Sequence, residues 1–168
     1  DPSAKVRPEQ GLLKMRKELG LYANLRPIKL FDELLGASSI KPEILKGADI
    51  LFFRELTGDI YFGEKGRKND GNTAFDVAEY SRCEVERIGR KALEAARTGR
   101  KKLCSVDKAN VLETSRLWRE EIQKLALEYP DVEVEYQFVD STAMMLIKDP
   151  RRFDVVVTAN LFGVLLTY

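Results

Sequence analysis

Apolar residues recur at helical spacing in two stretches of the chain. From Pro8 to Leu19, leucine and methionine side chains alternate with Arg and Lys before Gly20, which predicts an amphipathic helix with a glycine stop. A second helix is predicted between Ser81 and Gly99, because its apolar positions fall on one helical face. These positions are Val85, Ile88, Ala92, Leu93 and Ala96. Ser81 and Glu84 form the Ser-x-x-Glu pattern of a capping box, which defines the start of this helix.

Strands are predicted where apolar residues are continuous or alternate with polar ones. The block from Ile50 to Phe53 is apolar throughout, which is typical of a strand covered on both faces. Residues 132–138 alternate and predict a half-buried strand that ends near Asp140. Other strands are predicted at Arg26–Phe31, Asp59–Glu64, Leu103–Val106 and Asp154–Thr158. Other helices are predicted at Glu113–Tyr129, Ala143–Ile147 and Leu161–Tyr168.

The polar, glycine-rich segment Lys65–Asn72 separates two short extended runs. It predicts a turn between antiparallel strands, and therefore a projecting β-hairpin arm over residues 64–78. Strand and helix alternate in the second half of the chain. The whole pattern predicts one α/β domain over residues 1–168, with three layers, a mixed sheet and helices on both faces.

Composition excludes several kinds of chemistry and partner. The 168 residues include 28 basic and 27 acidic side chains, so the net charge of +1 gives no field that would gather nucleic acid. No apolar run reaches the roughly 18–20 residues that cross a bilayer, and the first residues lack the apolar core of a secretion signal, so we expect a cytoplasmic protein without membrane contact. The chain contains no histidine, which excludes imidazole ligands and His-activated nucleophiles. Cys83 and Cys104 are expected to be reduced thiols.

Four segments in order along the chain share a family resemblance. They are RPEQGLLKMRKELGLYANLRP, RELTGDIYFGE, SVDKANVLE and VDSTAMMLI. They resemble consecutive substrate-domain motifs of the 3-isopropylmalate dehydrogenases, members of the β-decarboxylating dehydrogenase family together with isocitrate and tartrate dehydrogenases. The resemblance runs from about Arg7 to Gly163, and four long ordered motifs are a stronger signal than one short fingerprint. It implies the substrate-binding and dimerisation domain of that family.

The resemblance implies a pocket for a substituted malate. Arg16, Arg26 and Arg54 would bind its carboxylates and hydroxyl, since converging guanidinium groups suit a dicarboxylate. The residues that would contact the isopropyl group and the neighbouring nicotinamide are Glu9, Leu12 and Leu13. A leucine pair favours isopropylmalate over isocitrate, because a third carboxylate would be desolvated there without a partner. The residues alone favour another interpretation, in which each Arg lies at the rim of the core with its stem buried.

The resemblance also implies proton transfer and a composite site in a homodimer. Tyr61 and Lys108 would handle protons at the hydroxyl and the enolate. Lys108 follows an apolar strand and Asp107, where a partly desolvated amine is suited to act as a base. The residues that would reach the partner's site are Lys108, Asn110, Val111 and Asp140. The arm and the two apolar helices near the end of the chain would pack across a twofold axis. Without the resemblance, Tyr61 would be interpreted as a core-edge phenol and Lys108 as a solvated amine.

The metal and nucleotide chemistry of the family is incomplete in this chain. Asp140 stands at the place of one Mg²⁺ or Mn²⁺ ligand, but Val164 and Tyr168 stand where the family has two aspartates one helical turn apart. An isopropyl group and a neutral phenol are poor ligands for a hard cation. We therefore expect very weak or no metal binding. The glycines of GEKGRKNDGN are not followed by a helix that would cradle a phosphate, so we expect no NAD site either.

Three functions remain open from the sequence. The favoured one is an excised or redesigned substrate and dimerisation domain, without the family's nucleotide-binding domain and inactive alone. The reaction that the resemblance implies is the NAD-dependent oxidative decarboxylation of 3-isopropylmalate in leucine biosynthesis. The second is an active dehydrogenase completed by another chain, which would need the aspartate pair. The third is a non-catalytic homodimerisation module.

Overall fold

A five-stranded mixed sheet forms the centre of the molecule. The computed structural model describes residues 8–167, apart from the side chains of Asp32 and Leu34. The strands are β1 Ala23–Lys29, β2 Asp49–Glu55, β3 Lys65–Lys68, β4 Thr73–Asp76, β5 Lys102–Asp107, β6 Glu133–Phe138 and β7 Val155–Thr158. The helices are α1 Pro8–Glu18, α2 Pro42–Leu45, α3 Arg82–Thr98, α4 Glu113–Ala126, α5 Val139–Lys148 and α6 Asn160–Thr167. The sheet order is β1-β2-β7-β5-β6, with β1 antiparallel to β2 and the other neighbours parallel.

Helices α3 and α4 cover one face of the sheet. All five apolar positions predicted for the buried face of α3 are 0% exposed. They share one cluster with Trp118 and Ile122 of α4 and with Val157 of β7. Gly89 allows a close helix crossing, since a Cβ there would lie 2.6 Å from Cδ1 of Ile122. Each large apolar side chain buried in this way contributes about 1.5–3 kcal/mol, so this face is a main source of stability.

Helices α5 and α6 cover the opposite face with a smaller core. Phe52, Val106 and Val156 lie against Met145 of α5 and Leu166 of α6. Cys104 belongs to the same cluster, and its burial raises the pKa of the thiol to about 12. Because helices cover both faces, the predicted three-layer α/β domain with a mixed sheet is confirmed. Within residues 8–167, no helix is long and apolar enough to cross a membrane.

The predicted β-hairpin arm is present, but its first strand, β3, occupies the first half of the segment Lys65–Asn72 that was predicted to be the turn. Strands β3 and β4 pair antiparallel and form a sheet of their own. Asn69, Asp70 and Gly71 in the turn have φ of 53°, 53° and 88°, a region that these residue types tolerate best. At the base of the arm, a Cβ on Gly63 would lie 1.8 Å from the carbonyl oxygen of Val77, so only glycine fits there. The pairing of this arm with a second copy stays a prediction.

Three elements differ from the sequence prediction. The predicted strand at residues 59–64 is wrong, because Asp59–Tyr61 forms a 3-10 turn in which Phe62 N–H donates to the Asp59 carbonyl at 3.1 Å. Asp59 has a φ of 71°, which reverses the chain instead of extending it. Strand β1 begins earlier and ends earlier than predicted. Helix α5 begins at Val139, and its first turn includes Asp140, a favourable place for an acidic side chain.

Candidate active site

The carboxyl end of β2 carries a buried arginine. Arg54 is 4% exposed, and its side chain contacts the first turn of α6. Its Nε donates to the Asn160 carbonyl at 2.9 Å and to Asn160 Oδ1 at 3.1 Å. Its Nη2 donates to the same Oδ1 at 2.7 Å. Asn160 of α6 therefore accepts three hydrogen bonds from the guanidinium, at the sheet edge where ligands of open α/β sheets bind.

Asn160 connects this arginine to two other segments. It is 0% exposed. Its Nδ2 donates to the Gly58 carbonyl at 3.1 Å, and its backbone N–H donates to the Tyr80 hydroxyl at 2.9 Å. Burial raises the pKa of Tyr80 far above its ordinary range, so the hydroxyl stays neutral. Each polar group of Asn160 thus has a partner, as buried polar groups require.

Asp59 caps the same helix. It is 6% exposed, and its Oδ2 accepts the Leu161 N–H at 2.9 Å while its Oδ1 accepts the Ile60 N–H at 2.8 Å. A carboxylate at a helix N-terminus satisfies an otherwise unpaired N–H and interacts favourably with the helix dipole. These bonds offset the backbone cost of a non-glycine residue at a φ of 71°.

Arg26 of β1 reaches the other end of α6. Its Nη1 donates to Thr167 Oγ1 at 3.0 Å and to the Thr167 carbonyl at 3.3 Å. Its Nε donates to Asn24 Oδ1 at 2.7 Å. Asn24 is the strand partner of Arg54, so both arginines project toward α6 from neighbouring strands. The structure therefore brings Arg26 and Arg54 to one helix.

The other residues predicted for this site lie on separate elements. Arg16 and Leu13 are half-buried on α1, and Leu12 on the same helix is 44% exposed. Glu9 is exposed in its first turn. Tyr61 is half-buried at the end of the 3-10 turn that follows Asp59. The roles implied for these residues stay predictions.

Lys108 and Asp140 meet at the carboxyl ends of neighbouring strands. Lys108 Nζ donates to Asp140 Oδ1 at 2.7 Å. The Lys108 side chain is 25% exposed and the Asp140 side chain 64%. The hydrogen bond from Lys108 holds the pKa of the Asp140 carboxyl below its ordinary value. In one chain the predicted base and the predicted metal ligand therefore form an ion pair.

Asn110 and Val111 lie in the exposed turn between β5 and α4. Val111 is 61% exposed, and its N–H donates to the Lys108 carbonyl at 2.9 Å. Asn110 is exposed beside it. Both side chains are accessible to a second molecule, but their contribution to a partner's site stays a prediction.

The donor groups in the described part of one chain do not fit Mg²⁺ or Mn²⁺. Among residues 8–167, no group of three or more His, Cys, Asp or Glu side chains is arranged to hold a metal. Val164 in α6 carries no donor atom, and Asp140 is engaged by Lys108. Tyr168 lies outside the described residues. Hard cations need several oxygen ligands, and these positions do not supply them.

Comparison with known proteins assigns the chain to a family. A sequence model of the isocitrate/isopropylmalate dehydrogenases matches residues 2–167. The 3-isopropylmalate dehydrogenase of Rhodopirellula baltica is 62% identical over 99% of this chain and 47% of its own length. That of Sulfurimonas denitrificans is 54% identical over 96% of this chain and 45% of its own length. The chain belongs to the isocitrate/isopropylmalate dehydrogenase family, and it spans about half the length of the curated relatives that it matches.

Solved structures share the fold. Isocitrate dehydrogenase from Methylococcus capsulatus superposes with a TM-score of 0.82 at 36% identity, covering 92% of this chain and 45% of that one. The TT0538 protein from Thermus thermophilus superposes with a TM-score of 0.84 at 31% identity, covering 93% of this chain and 31% of that one. The same arrangement of sheet and helices therefore occurs in longer proteins.

Sequence reasoning missed Asn160, which accepts hydrogen bonds from Arg54, and two residues that accept backbone N–H groups at the start of α6. Asn160, Asp59 and Tyr80 come from three separate segments and meet only in the folded chain. One signal was present, since a polar Asn two residues after the buried strand β7 needs a partner at the start of α6. The sequence did not indicate which partner it would have.

Proposed function

We propose that this chain binds a 2-hydroxy dicarboxylate of the isopropylmalate type and does not oxidise it by itself. The observation that supports this most directly is the placement of Arg26 and Arg54, which project from neighbouring strands toward α6. Guanidinium groups on adjacent strands can each engage one carboxylate of a short diacid. Arg16 on α1 is proposed as the third cation of this pocket.

The choice of isopropylmalate rests on the relatives and on α1. The most similar relatives named above are 3-isopropylmalate dehydrogenases. Leu12 and Leu13 offer apolar surface to the isopropyl group, and Glu9 lies one helical turn before Leu13. A third carboxylate, as in isocitrate, would lose solvation against these leucines without gaining a partner.

Proton transfer is assigned to Tyr61 and Lys108 in a homodimer. Tyr61 would act at the substrate hydroxyl of its own chain. Lys108 would act at the site of the second copy, together with Asn110, Val111 and Asp140. Lys108 forms an ion pair with Asp140 within one chain. In a shared site, either this ion pair breaks, or Lys108 and Asp140 contact the partner's substrate while still paired. The reaction class is the NAD-dependent oxidative decarboxylation of a substituted malate.

The proposed lack of activity rests on residue identity at two positions. Val164 and Tyr168 replace the carboxylates that would hold Mg²⁺ or Mn²⁺, a group that polarises the hydroxyl and stabilises an enolate when it is bound. The chain can still bind a diacid through its arginines. We expect no NADH formation from isopropylmalate, NAD and Mn²⁺, and measurable turnover would contradict this proposal.

The effect of residues 164 and 168 on metal binding can be measured directly. The double variant V164D/Y168D introduces two carboxylates four positions apart in the sequence, so its affinity for Mn²⁺ alone should exceed that of the parent chain in a calorimetric titration. The matched control is the double asparagine variant V164N/Y168N, which adds polarity without charge. Equal Mn²⁺ affinity in the parent chain and the aspartate variant would contradict the proposed role of these positions.

The binding proposal is tested by titrating isopropylmalate into the chain in a calorimeter. Replacing Arg54 by Met keeps an unbranched, flexible stem and removes the guanidinium with its charge, so the affinity should fall about 10–100-fold. The control is Arg97→Met, because Arg97 is an exposed arginine of α3 that is paired with Asp131. Absence of binding to the parent chain, or an equal loss in both variants, would contradict the proposal.

The homodimer rests on apolar side chains that the helices leave exposed. Met144 and Ile147 of α5 are 65% and 62% exposed, and Leu165 of α6 is 64% exposed. Sedimentation equilibrium should detect a dimer, and replacing residues 65–76 by a short Gly-Ser linker should weaken it. A parent chain that stays monomeric, or an arm deletion that dimerises as tightly as the parent, would contradict the assigned interface.

A further inference from the structure

We propose that Asn160 is a positioning residue that fixes the orientation of the Arg54 guanidinium. Three hydrogen bonds of Arg54, from Nε and Nη2, end on the side-chain oxygen and the carbonyl oxygen of this one residue. These three bonds lie along the Nε–Nη2 side of the planar guanidinium, so they set the direction in which Nη1 points. The inference rests on the proposed function, in which Arg54 binds a substrate carboxylate.

The orientation of the Asn160 amide is fixed by its other partner. Nδ2 donates to the Gly58 carbonyl at 3.1 Å, while Oδ1 accepts from Arg54. A flipped amide would set Oδ1 against the Gly58 carbonyl and Nδ2 against the guanidinium, and both contacts would be repulsive. The turn at Gly58 therefore determines which atom Asn160 presents to Arg54.

The aliphatic stem of Arg54 is held by the same helix. A Cβ on Gly163 would lie 2.4 Å from Cγ and 2.7 Å from Cδ of Arg54, so the stem packs directly on the bare backbone of α6. Asn160 and Gly163 are three positions apart and share one side of the helix. The aliphatic stem and the guanidinium of Arg54 therefore both contact the same turn of α6.

An amide is suited to this task because it carries no charge. A carboxylate in its place would also accept from Arg54, but it would neutralise the guanidinium and weaken its attraction for an anionic ligand. Bidentate recognition of a carboxylate depends on the plane of the guanidinium as well as on its charge. A neutral acceptor such as Asn160 Oδ1 orients the plane of the guanidinium without adding a negative charge.

The first experiment observes Arg54 without any ligand. In the ¹⁵N-labelled chain, the Nη2 hydrogens of Arg54 should give a resolved signal that exchanges slowly with water, because the guanidinium is buried and Nη2 donates to Asn160 Oδ1. Asn160→Ala should abolish this protection, because it removes Oδ1, while the backbone carbonyl that accepts from Nε remains. Tyr80→Phe is the control, since it removes only the acceptor of the Asn160 backbone N–H. An unchanged Arg54 signal in Asn160→Ala would overturn the proposal.

The second experiment measures isopropylmalate affinity by calorimetry. Asn160→Ala should lower the affinity about 10-fold, and the Asn160→Ala, Arg54→Met double variant should lose no more than Arg54→Met alone, because both substitutions act through one group. Tyr80→Phe should stay within about 2-fold of the parent chain. Additive losses in the double variant would overturn the proposal, since they would mean that Asn160 acts independently of Arg54.

A further variant keeps the test decisive if Asn160→Ala does not fold. Asn160→Asp loses the hydrogen bond to the Gly58 carbonyl but retains Oδ1 as the acceptor of Nη2, so the Arg54 Nη2 signal should persist in the folded chain. The affinity should fall about 10-fold from charge neutralisation. Loss of that signal in a folded Asn160→Asp chain would overturn the positioning role. If the parent chain binds no isopropylmalate, the proposed function fails, whereas the positioning of Arg54 is still decided by the exchange experiment.

Discussion

The two faces of the central sheet are stabilised by different kinds of contact. On the α3/α4 face, most side chains that meet the sheet are apolar, with Ile88 and Ile122 at 0% exposure. Its ion pairs to the sheet, Arg87 with Glu55 and Arg119 with Asp107, lie at the carboxyl ends of β2 and β5. On the α6 face, Arg54 and Asn160 are buried to a similar extent but contact each other through directed hydrogen bonds. Burial of apolar surface is non-directional, whereas a hydrogen-bonded network specifies the orientation of each group. We therefore expect the first face to determine stability and the second to determine geometry.

The largest effect is expected from a cavity on the apolar face. Ile88→Ala removes a side chain that is 0% exposed, and such truncations lower the free energy of unfolding by about 2–5 kcal/mol. Urea unfolding followed by the fluorescence of Trp118, the one tryptophan of the chain, measures the loss. The control is Leu127→Ala, because Leu127 is 82% exposed. A similar loss in the two variants would mean that this face is not the main source of stability.

The same contrast explains what the sequence could predict. The buried face of α3 follows a helical period, and all five residues chosen from that period are fully buried. The contacts of Asn160 follow no period, since Arg54 is 106 positions away and Tyr80 is 80 positions away. Periodicity reports which side of an element is apolar. It does not report which distant segment supplies a polar partner, so the family resemblance identified Arg54 while its support became evident only in the fold.

The second-largest effect is expected at the cap of α6. Asp59→Ala removes the acceptor of the Leu161 N–H and leaves a β-carbon at a φ of 71°, so the free energy of unfolding should fall by about 1–2 kcal/mol. Asp59→Gly removes the same acceptor but tolerates the backbone, and its loss should be smaller by roughly 0.5–1 kcal/mol. Urea unfolding of both variants measures the difference. Equal losses would mean that the left-handed backbone stores no strain at this position.

A stabilising change is expected at the carboxyl end of β7. Thr158 is 0% exposed, and within the described chain its hydroxyl has no hydrogen-bond partner. Thr158→Val keeps the shape and removes a buried unpaired hydroxyl, so the free energy of unfolding should rise by about 1 kcal/mol. The control Thr98→Val alters a hydroxyl at the exposed end of α3 that donates to the Ala95 carbonyl. A loss of stability in Thr158→Val would show that the hydroxyl is hydrogen-bonded in solution.

The smallest effect is expected where a contact is directed but not buried. Arg97 on the outer side of α3 donates to Asp131 from Nε at 2.9 Å and from Nη2 at 2.7 Å, and these bonds hold the pKa of the Asp131 carboxyl below its ordinary value. A lowered carboxyl pKa in the folded state stabilises the fold above the ordinary pKa of Asp, and this contribution is lost as the pH falls through the lowered value. Arg97→Met should therefore raise the pKa of Asp131, measured by NMR titration, and the pH dependence of unfolding should change only slightly because solvent screens the pair.

Lys91→Met is the matched control for this pair, because Lys91 is an exposed cation of α3 that pairs with Glu94. The pKa of Asp131 should not respond to it. A different result would contradict this expectation. If Arg97→Met changed the free energy of unfolding at acid pH as much as Asp59→Ala changes it at neutral pH, exposed hydrogen bonds would stabilise this fold as strongly as buried ones. We expect the exposed pair of Arg97 and Asp131 to contribute least to stability. Hydrogen bonds are stronger where water is excluded, so the buried bonds between Arg54 and Asn160 should be stronger and better oriented than this exposed pair.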